Sequence, residues 1–242
     1  MNGNGNFVYD GTIEGFLTVV AYCISNKIMP LHILNRTGLN DIPAGYVNIR
    51  SNFDLADKTY RMIGRRSSPE VQQLIGDFFL TCVPEMEKDL FILVCKAIKY
   101  GAIIAEDYSD DLMRRVQFSI RDLYREAQSA LNDIGMLRNR ELSYAMIDPR
   151  NNVLPLISSK ILKDPDYDDI LIYDKRHMLV LVRIRDRDAI VDTRRISHTV
   201  LRTSDELYTK LWPYFHEEAG VTSYTRSGKG ADSLTRLWYI AG

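Results

Sequence analysis

The residues with the clearest chemical potential in this 242-residue sequence are arginines toward its C-terminal end. Residues 176–202 hold seven arginines against three aspartates, a local net charge of +4 in a chain whose formal net charge is −1. A guanidinium presents a planar fork of donors that suits the oxygens of a phosphate. The arginines therefore favour contact with nucleic acid or another phosphate. The candidate contact residues are Arg138, Arg140, Arg176, Arg183, Arg185, Arg194 and Arg195.

The arginine-rich stretch also allows three simpler roles. Asp186 and Asp188 alternate with the arginines and could neutralise them in ion pairs. Charged side chains also protect the edge strand of a sheet from unwanted pairing, or they could face a protein partner. Aromatic residues are sparse in this stretch, so recognition of single strands by stacked bases is poorly supported.

A second group of residues could carry chemistry through carboxylates. Five aspartates crowd one region, and such groups can hold Mg²⁺. A solvated acidic loop between a helix and a strand accounts for the same pattern. A metal-assisted nucleic-acid-processing enzyme thus stays an alternative, but no catalytic residue and no metal ligand can be assigned. The aspartates are Asp164, Asp166, Asp168, Asp169 and Asp174.

Nucleotide and cofactor motifs are missing from the sequence. The histidines His32, His177, His198 and His216 are scattered without the i,i+4 spacing of a zinc-binding helix. His177 and His198 could assist at a phosphate, although a surface histidine without a role accounts for each of them. The stretch 227–230, SGKG, fails the P-loop pattern, and no G-x-G-x-x-G follows a strand. We therefore expect no cofactor and favour a protein that is not an enzyme.

Hydrophobic periodicity predicts the elements that position these residues. The pattern predicts an α+β protein, in which a mainly helical N-terminal half packs on a small antiparallel β-sheet formed largely by residues 138–193, with a C-terminal helix. We expect one domain over residues 1–242: a mostly helical part at 7–134, a sheet part at 135–202, and a helix and tail at 203–242. Thr12 and Ser68 are predicted helix caps.

The predicted strands lie at 138–148, 170–173, 178–185 and 189–192. The last three are joined by connections too short for a parallel crossover, so they should be antiparallel neighbours. Residues 26–52 contain two prolines and two glycines and are expected to be irregular, with a short strand at 46–49.

Composition limits where the protein works. No apolar run reaches the roughly 20 residues that span a bilayer, and the first residues, MNGNGN, lack the basic region of a signal peptide. The three cysteines, Cys23, Cys82 and Cys95, form no C-x-x-C pair and lie among apolar residues. We expect them to be reduced core residues of a cytoplasmic protein without a membrane partner.

Four segments resemble one bacterial family, the "probable DNA metabolism" proteins of unknown function that are encoded beside a putative DNA-modification or repair radical-SAM protein. Some members are fused to a uracil-DNA-glycosylase-like domain, and this chain looks like the stand-alone form. The segments are FVYDGTIEGFLTVVAYC (7–23), RELSYAMIDPRNNVLPLIS (140–158), ILIYDKRH (170–177) and LYTKLWPYFH (207–216).

The resemblance implies a role in DNA metabolism but identifies no catalytic residue. It departs at the tail, where members carry an Arg-x-Asn motif and a Met-Pro-x-x-Tyr-Trp ending, whereas residues 217–242 keep only the Leu237-Trp238-Tyr239 pattern. The implied function is a non-catalytic accessory protein in DNA modification or repair. It would bind DNA, a radical-SAM partner or both through the arginine-rich sheet edge. A pure protein-interaction module is a further alternative.

Overall fold

Two β-sheets of different topology organise the chain, whose computed structural model describes residues 5–37, 39, 41–135, 143–163, 169–184 and 187–195. Within these ranges the side chains of residues 135, 143, 184, 187, 188 and 195 are not described. Helices and two small sheets confirm the α+β class. The chain divides into two compact units, Met1–Ile120 and Arg121–Gly242, and each is described by itself. The prediction of one domain over 1–242 stays a prediction.

The first unit contains a three-stranded parallel sheet. Strand β1 (Asn6–Tyr9) lies between β2 (His32–Asn35) and β3 (Val47–Asn48). Phe7, Val8 and Tyr9 are all buried, as expected of a parallel strand that is covered on both faces. Strand β3 confirms the strand predicted at 46–49, whereas β2 falls in a stretch that was expected to be irregular.

Two helices of the first unit begin at the predicted caps. Thr12 Oγ1 accepts a hydrogen bond from Gly15 N–H at the start of α1 (Ile13–Asn26). Ser68 does the same for Val71 N–H in the third helix. The further helices are α2 (Phe53–Arg66), α3 (Pro69–Phe79), α4 (Met86–Tyr100), a 3₁₀ helix (Gly101–Glu106) and α5 (Asp111–Gly135), inside which the two units divide.

The second unit contains a four-stranded sheet in the order β4-β5-β6-β7. Its apolar face is covered in part by a short helix that follows the first strand, and Ile157 of that helix is fully buried. The elements are β4 (Ser143–Ile147), α6 (Leu154–Ile161), β5 (Ile170–Asp174), β6 (Leu179–Ile184), β7 (Arg187–Asp192) and a 3₁₀ turn (Thr193–Arg195).

The pairing of these strands corrects one detail of the prediction. β5–β6 and β6–β7 are antiparallel, as their short connections predicted. β4 and β5 are parallel instead, because the chain passes through α6 between them and so returns to the same end of the sheet. Residues 136–142, with Arg138 and Arg140, and the predicted C-terminal helix lie outside the described residues.

Two further expectations can be compared with the described residues. Cys23 is buried and Cys95 half-buried, but Cys82 is exposed, so the prediction of three core cysteines is wrong for Cys82. Cys82 follows the end of α3, where the chain turns toward α4. No helix among the described residues has the length and apolar character that a membrane span requires.

Candidate nucleic-acid interface

The parallel pairing of β4 and β5 brings two loops together at one end of the second sheet. Ile147 lies opposite Asp174 in the register, so both strands finish at the same level. Lys175 N–H then donates a hydrogen bond to Ile147 O at 3.0 Å, which ties the turn after β5 to the end of β4. The carboxyl ends of parallel strands are where open sheets commonly bind ligands.

Asp174 anchors the turn that follows β5. Its side chain is fully buried, and Oδ1 accepts hydrogen bonds from the N–H groups of Arg176 and His177, each at 3.0 Å. Its Oδ2 lies 2.7 Å from Nδ1 of the largely buried His177 ring. A carboxylate in this position favours the tautomer with the proton on Nδ1. The arrangement orients the imidazole and satisfies a buried charge at the same time.

Two well-exposed arginines lie at this end of the sheet, one within the turn after β5 and one in the loop after β4. Arg176 is 51% exposed, and its Nε lies 3.1 Å from Oδ1 of Asp148, which is 52% exposed. Arg150, in the loop after β4, is 55% exposed and lies 3.6 Å from Asp122 and 3.8 Å from Glu126. Ion pairs made by solvent-exposed arginines contribute about 0–1 kcal/mol each. A phosphate could therefore replace any of these three carboxylates at small cost.

Glu126 of α5 holds the loop that carries Arg150. Its Oε2 accepts a hydrogen bond from Asn151 N–H at 2.7 Å, and the Asn151 residue is buried. The backbone of the loop is therefore fixed beside the long side chain of Arg150. The guanidinium can reorient toward a ligand while its Cα stays in place.

Arg194 lies at the same end of the sheet as Arg176. β7 runs antiparallel to β6, and Thr193 N–H donates to Met178 O at 2.8 Å, so the chain after β7 returns beside the β5–β6 turn. Arg194 Nε lies 2.8 and 3.0 Å from the two carboxylate oxygens of Asp192. Because its guanidinium already donates to both oxygens of that carboxylate, Arg194 is less available to a phosphate than Arg176 is.

Arg183 belongs to the opposite end of the sheet. It lies on β6, an inner strand, opposite Ile170 at the start of β5. Its guanidinium donates to Leu162 O. The structure therefore does not place Arg183 on a sheet edge or beside Arg176. Arg138, Arg140, Arg185 and the side chain of Arg195 lie outside the described residues.

We call Arg150, Arg176 and Arg194 the arginine end of the sheet. Neither Arg150 as a candidate contact residue nor Asp148 as an ion-pair partner was identified from the sequence. A single arginine in a loop forms no recognisable sequence pattern. The available signal was that both residues lie in the segment 140–158, while Asp174 and His177 lie in the segment 170–177, the two stretches that carry the family resemblance.

The carboxylates proposed for Mg²⁺ do not converge in the described structure. Asp169 precedes β5 and Asp174 ends it, so the two lie at opposite ends of a five-residue strand. Asp164, Asp166 and Asp168 are outside the described residues. No group of three or more histidines, cysteines or carboxylates that could hold a metal ion occurs among the residues with described positions.

Comparison with known proteins gives a family but not an activity. Residues 84–228, more than half of the chain, match the family model DUF4130, a domain of unknown function. That range includes α4, α5, the whole second sheet and the arginine end. No curated protein and no solved structure matches the chain. The chain therefore belongs to the DUF4130 family, a family defined by a domain whose function is unknown.

Proposed function

We propose that this protein is a non-catalytic accessory component of DNA modification or repair that contacts DNA phosphates through the arginine end. The observation that carries the proposal is the pair of exposed guanidiniums, Arg150 and Arg176, at one end of the second sheet. Both are held by solvent-exposed or half-buried carboxylates at 3.1 to 3.8 Å. Such partners orient the guanidinium groups and leave them accessible to a phosphate.

Local charge has to supply the attraction, because the whole chain carries a formal net charge of −1. A phosphate offers several acceptor oxygens to each guanidinium, whereas Asp148 lies within reach of Arg176 through one oxygen. Each phosphate contact also releases condensed counterions from the DNA, which adds a favourable entropic contribution. Both effects favour exchange of a carboxylate for a phosphate.

The biological setting rests on the family resemblance. It supports a cytoplasmic role beside a radical-SAM protein, which we propose as a physical partner. DNA and that partner are separable hypotheses, since the protein could bind either one alone. Co-purification of the two proteins with and without nuclease treatment would separate them: an association that survives nuclease and occurs without DNA affinity of the isolated chain would favour a protein-interaction module.

The DNA hypothesis is tested by titrating duplex and single-stranded DNA at several salt concentrations. We expect log Kobs to fall linearly with log salt. In the double variant Arg150→Ala/Arg176→Ala the slope should become shallower by about 1.8 on duplex DNA and about 1.4 on single strands, which corresponds to two lost phosphate contacts. The matched control is Arg61→Ala/Arg114→Ala, which removes two arginines of 57% and 61% exposure from other ion pairs and should leave the slope unchanged.

Three outcomes would overturn this proposal. The wild-type protein could fail to bind DNA at low salt, or it could bind with an affinity that does not depend on salt. Equal effects of the two double variants would show that total charge and not the arginine end controls binding.

The Asp174–His177 pair favours a second candidate, a nucleic-acid-processing enzyme that uses acid–base chemistry. A buried carboxylate 2.7 Å from Nδ1 is the arrangement by which many enzymes orient a proton-transferring imidazole. This candidate predicts turnover of a labelled oligonucleotide, with and without Mg²⁺, that His177→Gln abolishes while DNA affinity persists. Absence of turnover by the wild-type protein in both conditions would reject it.

A further inference from the structure

A cavity of about 540 Å³ opens in the first unit, and its described lining includes no residue of the arginine end. The C-terminal part of α4, the 3₁₀ helix and the start of α5 line it. Its volume lies within the range of small-molecule sites, which is roughly 300–1,000 Å³. The described lining residues all lie between residues 96 and 113, so one short stretch of chain supplies this part of the site.

The cavity combines a buried apolar floor with an exposed apolar rim. Ile104 and Met113 are buried, with exposures of 5% and 1%, whereas Tyr100 and Ile103 are 54% and 69% exposed. Ligand pockets are lined mainly by apolar and aromatic side chains with a few polar groups, and this lining combines both kinds of side chain. The exposed rim therefore provides the surface for the apolar body of a ligand, and the buried floor supports it from below.

Carboxylates dominate the charged lining. Lys96 and Asp110 form an ion pair with each other, and this pairing lowers the pKa of Asp110. Glu106 and Asp107 are exposed, and within the described structure neither forms an ion pair. Asp107 Oδ1 accepts hydrogen bonds from Ser109 N–H and Oγ at 3.2 and 2.5 Å, which fixes the direction of that carboxylate. Among the described residues, the lining thus carries two negative charges without a cationic partner.

The aromatic ring on the rim already contacts a cation of this chain. The Lys99 ammonium lies 4.7 Å from the centroid of the Tyr100 ring, a cation–π distance. Recognition of a ligand cation therefore rests on the carboxylates of Glu106 and Asp107 and not on this ring. The same negative charge disfavours phosphate, so this site cannot serve the DNA contact proposed above.

We propose that this cavity binds a small organic cation, that is, a protonated amine or guanidinium carried on an apolar body. The apolar portion packs on the exposed side chains of Tyr100 and Ile103, and the cationic end meets Glu106 and Asp107 at the rim. The inference does not depend on the DNA-binding proposal, because it uses other residues and opposite charge.

Binding is tested on the full-length protein by calorimetry with phenethylamine as the probe, and with phenethyl alcohol and hydrocinnamate as neutral and anionic analogues. We expect measurable binding of the amine only, weakened by added salt. In Glu106→Gln/Asp107→Asn we expect the amine Kd to rise about fivefold, since the variant removes two solvent-exposed charge interactions, each of which is weak. The amide oxygen introduced by Asp107→Asn can still accept the hydrogen bonds from Ser109, so the variant removes charge while it keeps the local turn.

Two further variants sharpen the test. Asp111→Asn removes a 78%-exposed carboxylate next to Asp110 that does not line the cavity, and it should leave the Kd unchanged. Lys96→Met releases Asp110 from its ion pair and should strengthen amine binding. Equal binding of the three analogues, or an unchanged Kd in both the Glu106/Asp107 and the Lys96 variants, would overturn the proposal. Circular dichroism of each variant confirms that a changed Kd does not reflect loss of fold.

Discussion

Asp174 shows how one buried side chain sets the geometry of a turn. It is fully buried and accepts from two backbone N–H groups and the His177 ring. Asp174→Ala would leave those donors without their acceptor in a buried site, and we expect a loss of about 2–4 kcal/mol in the free energy of unfolding. The loss is measured by urea unfolding of the variant and the wild-type protein.

The matched control for that variant is Asp148→Ala. Asp148 also lies at the arginine end, but it is half exposed and forms one ion pair with Arg176. Its loss should cost no more than about 1 kcal/mol. Similar losses for Asp148→Ala and Asp174→Ala would contradict the assignment of Asp174 as the anchor of the turn.

Glu14 gives a residue-scale prediction about pH. Burial raises its pKa above the ordinary value of 4.5, and nearby Asp10 adds to the rise. The folded protein therefore holds this proton more tightly than the unfolded chain. The resulting stabilisation is complete below pH 4.5 and is lost as the pH rises through the folded-state pKa. The Glu14→Gln variant has no carboxyl group to titrate at this position, so it should not lose this stability. Urea unfolding should therefore show that the variant becomes more stable relative to wild type as the pH rises.

Glu70→Gln provides a control of opposite sign for the same measurement. A hydrogen bond with Ser68 lowers the pKa of the exposed Glu70, so its stabilisation is present above the ordinary pKa and is lost as the pH falls. Relative to wild type, that variant should lose stability as the pH rises. Parallel pH profiles for Glu14→Gln and wild type would show that Glu14 titrates in the same way in both states.

At the scale of elements, the junction of β1 and α1 depends on a glycine. Asp10 accepts from Thr12 N–H at 3.0 Å and from Ser51 Oγ at 2.5 Å. A Cβ on Gly15 would collide with the Asp10 carboxylate and lie 2.8 Å from Ser51 Oγ. We expect Gly15→Ala to reduce the free energy of unfolding by about 1–3 kcal/mol, although alanine is the better helix former.

Gly64→Ala in α2 is the control for this steric effect. The added Cβ there meets the end of the Gln72 side chain, which one hydrogen bond to Tyr60 O holds, instead of the Asp10 carboxylate, which accepts three hydrogen bonds. The variant should be clearly less destabilised than Gly15→Ala in thermal or urea unfolding. Equal losses would show that helical propensity or a general packing effect is responsible and not the Asp10 contact.

At the scale of the whole molecule, the formal net charge of −1 and the calculated isoelectric point of about 6.4 give no general attraction to nucleic acid. Arg61→Glu and Arg176→Glu each change the net charge by two units, from −1 to −3. Exposed charges are screened beyond about 10 Å at 0.1 M salt. DNA affinity should therefore fall strongly for Arg176→Glu and little for Arg61→Glu, as measured by fluorescence anisotropy. Equal losses of DNA affinity in the two variants would show that net charge, and not the position of the arginine, controls binding.

The local features of the chain could be predicted from the sequence. The caps Thr12 and Ser68, the helical stretches up to Gly135 and the strands of the β5–β6–β7 meander depend on propensity, periodicity and short connections. These signals act over a few residues, so they are visible without a partner. The α+β class follows from their order along the chain.

Long-range pairing was decided only by the tertiary structure. The parallel register of β4 and β5 and the strand β2 depend on contacts between distant segments, which no local pattern encodes. That register brings Arg150, Asp148 and Arg176 to one end of the sheet and leaves Arg183 at the other. Composition alone indicated that the chain has an arginine-rich stretch. Which guanidiniums share a surface, and which carboxylate each one faces, depended on how the strands pair.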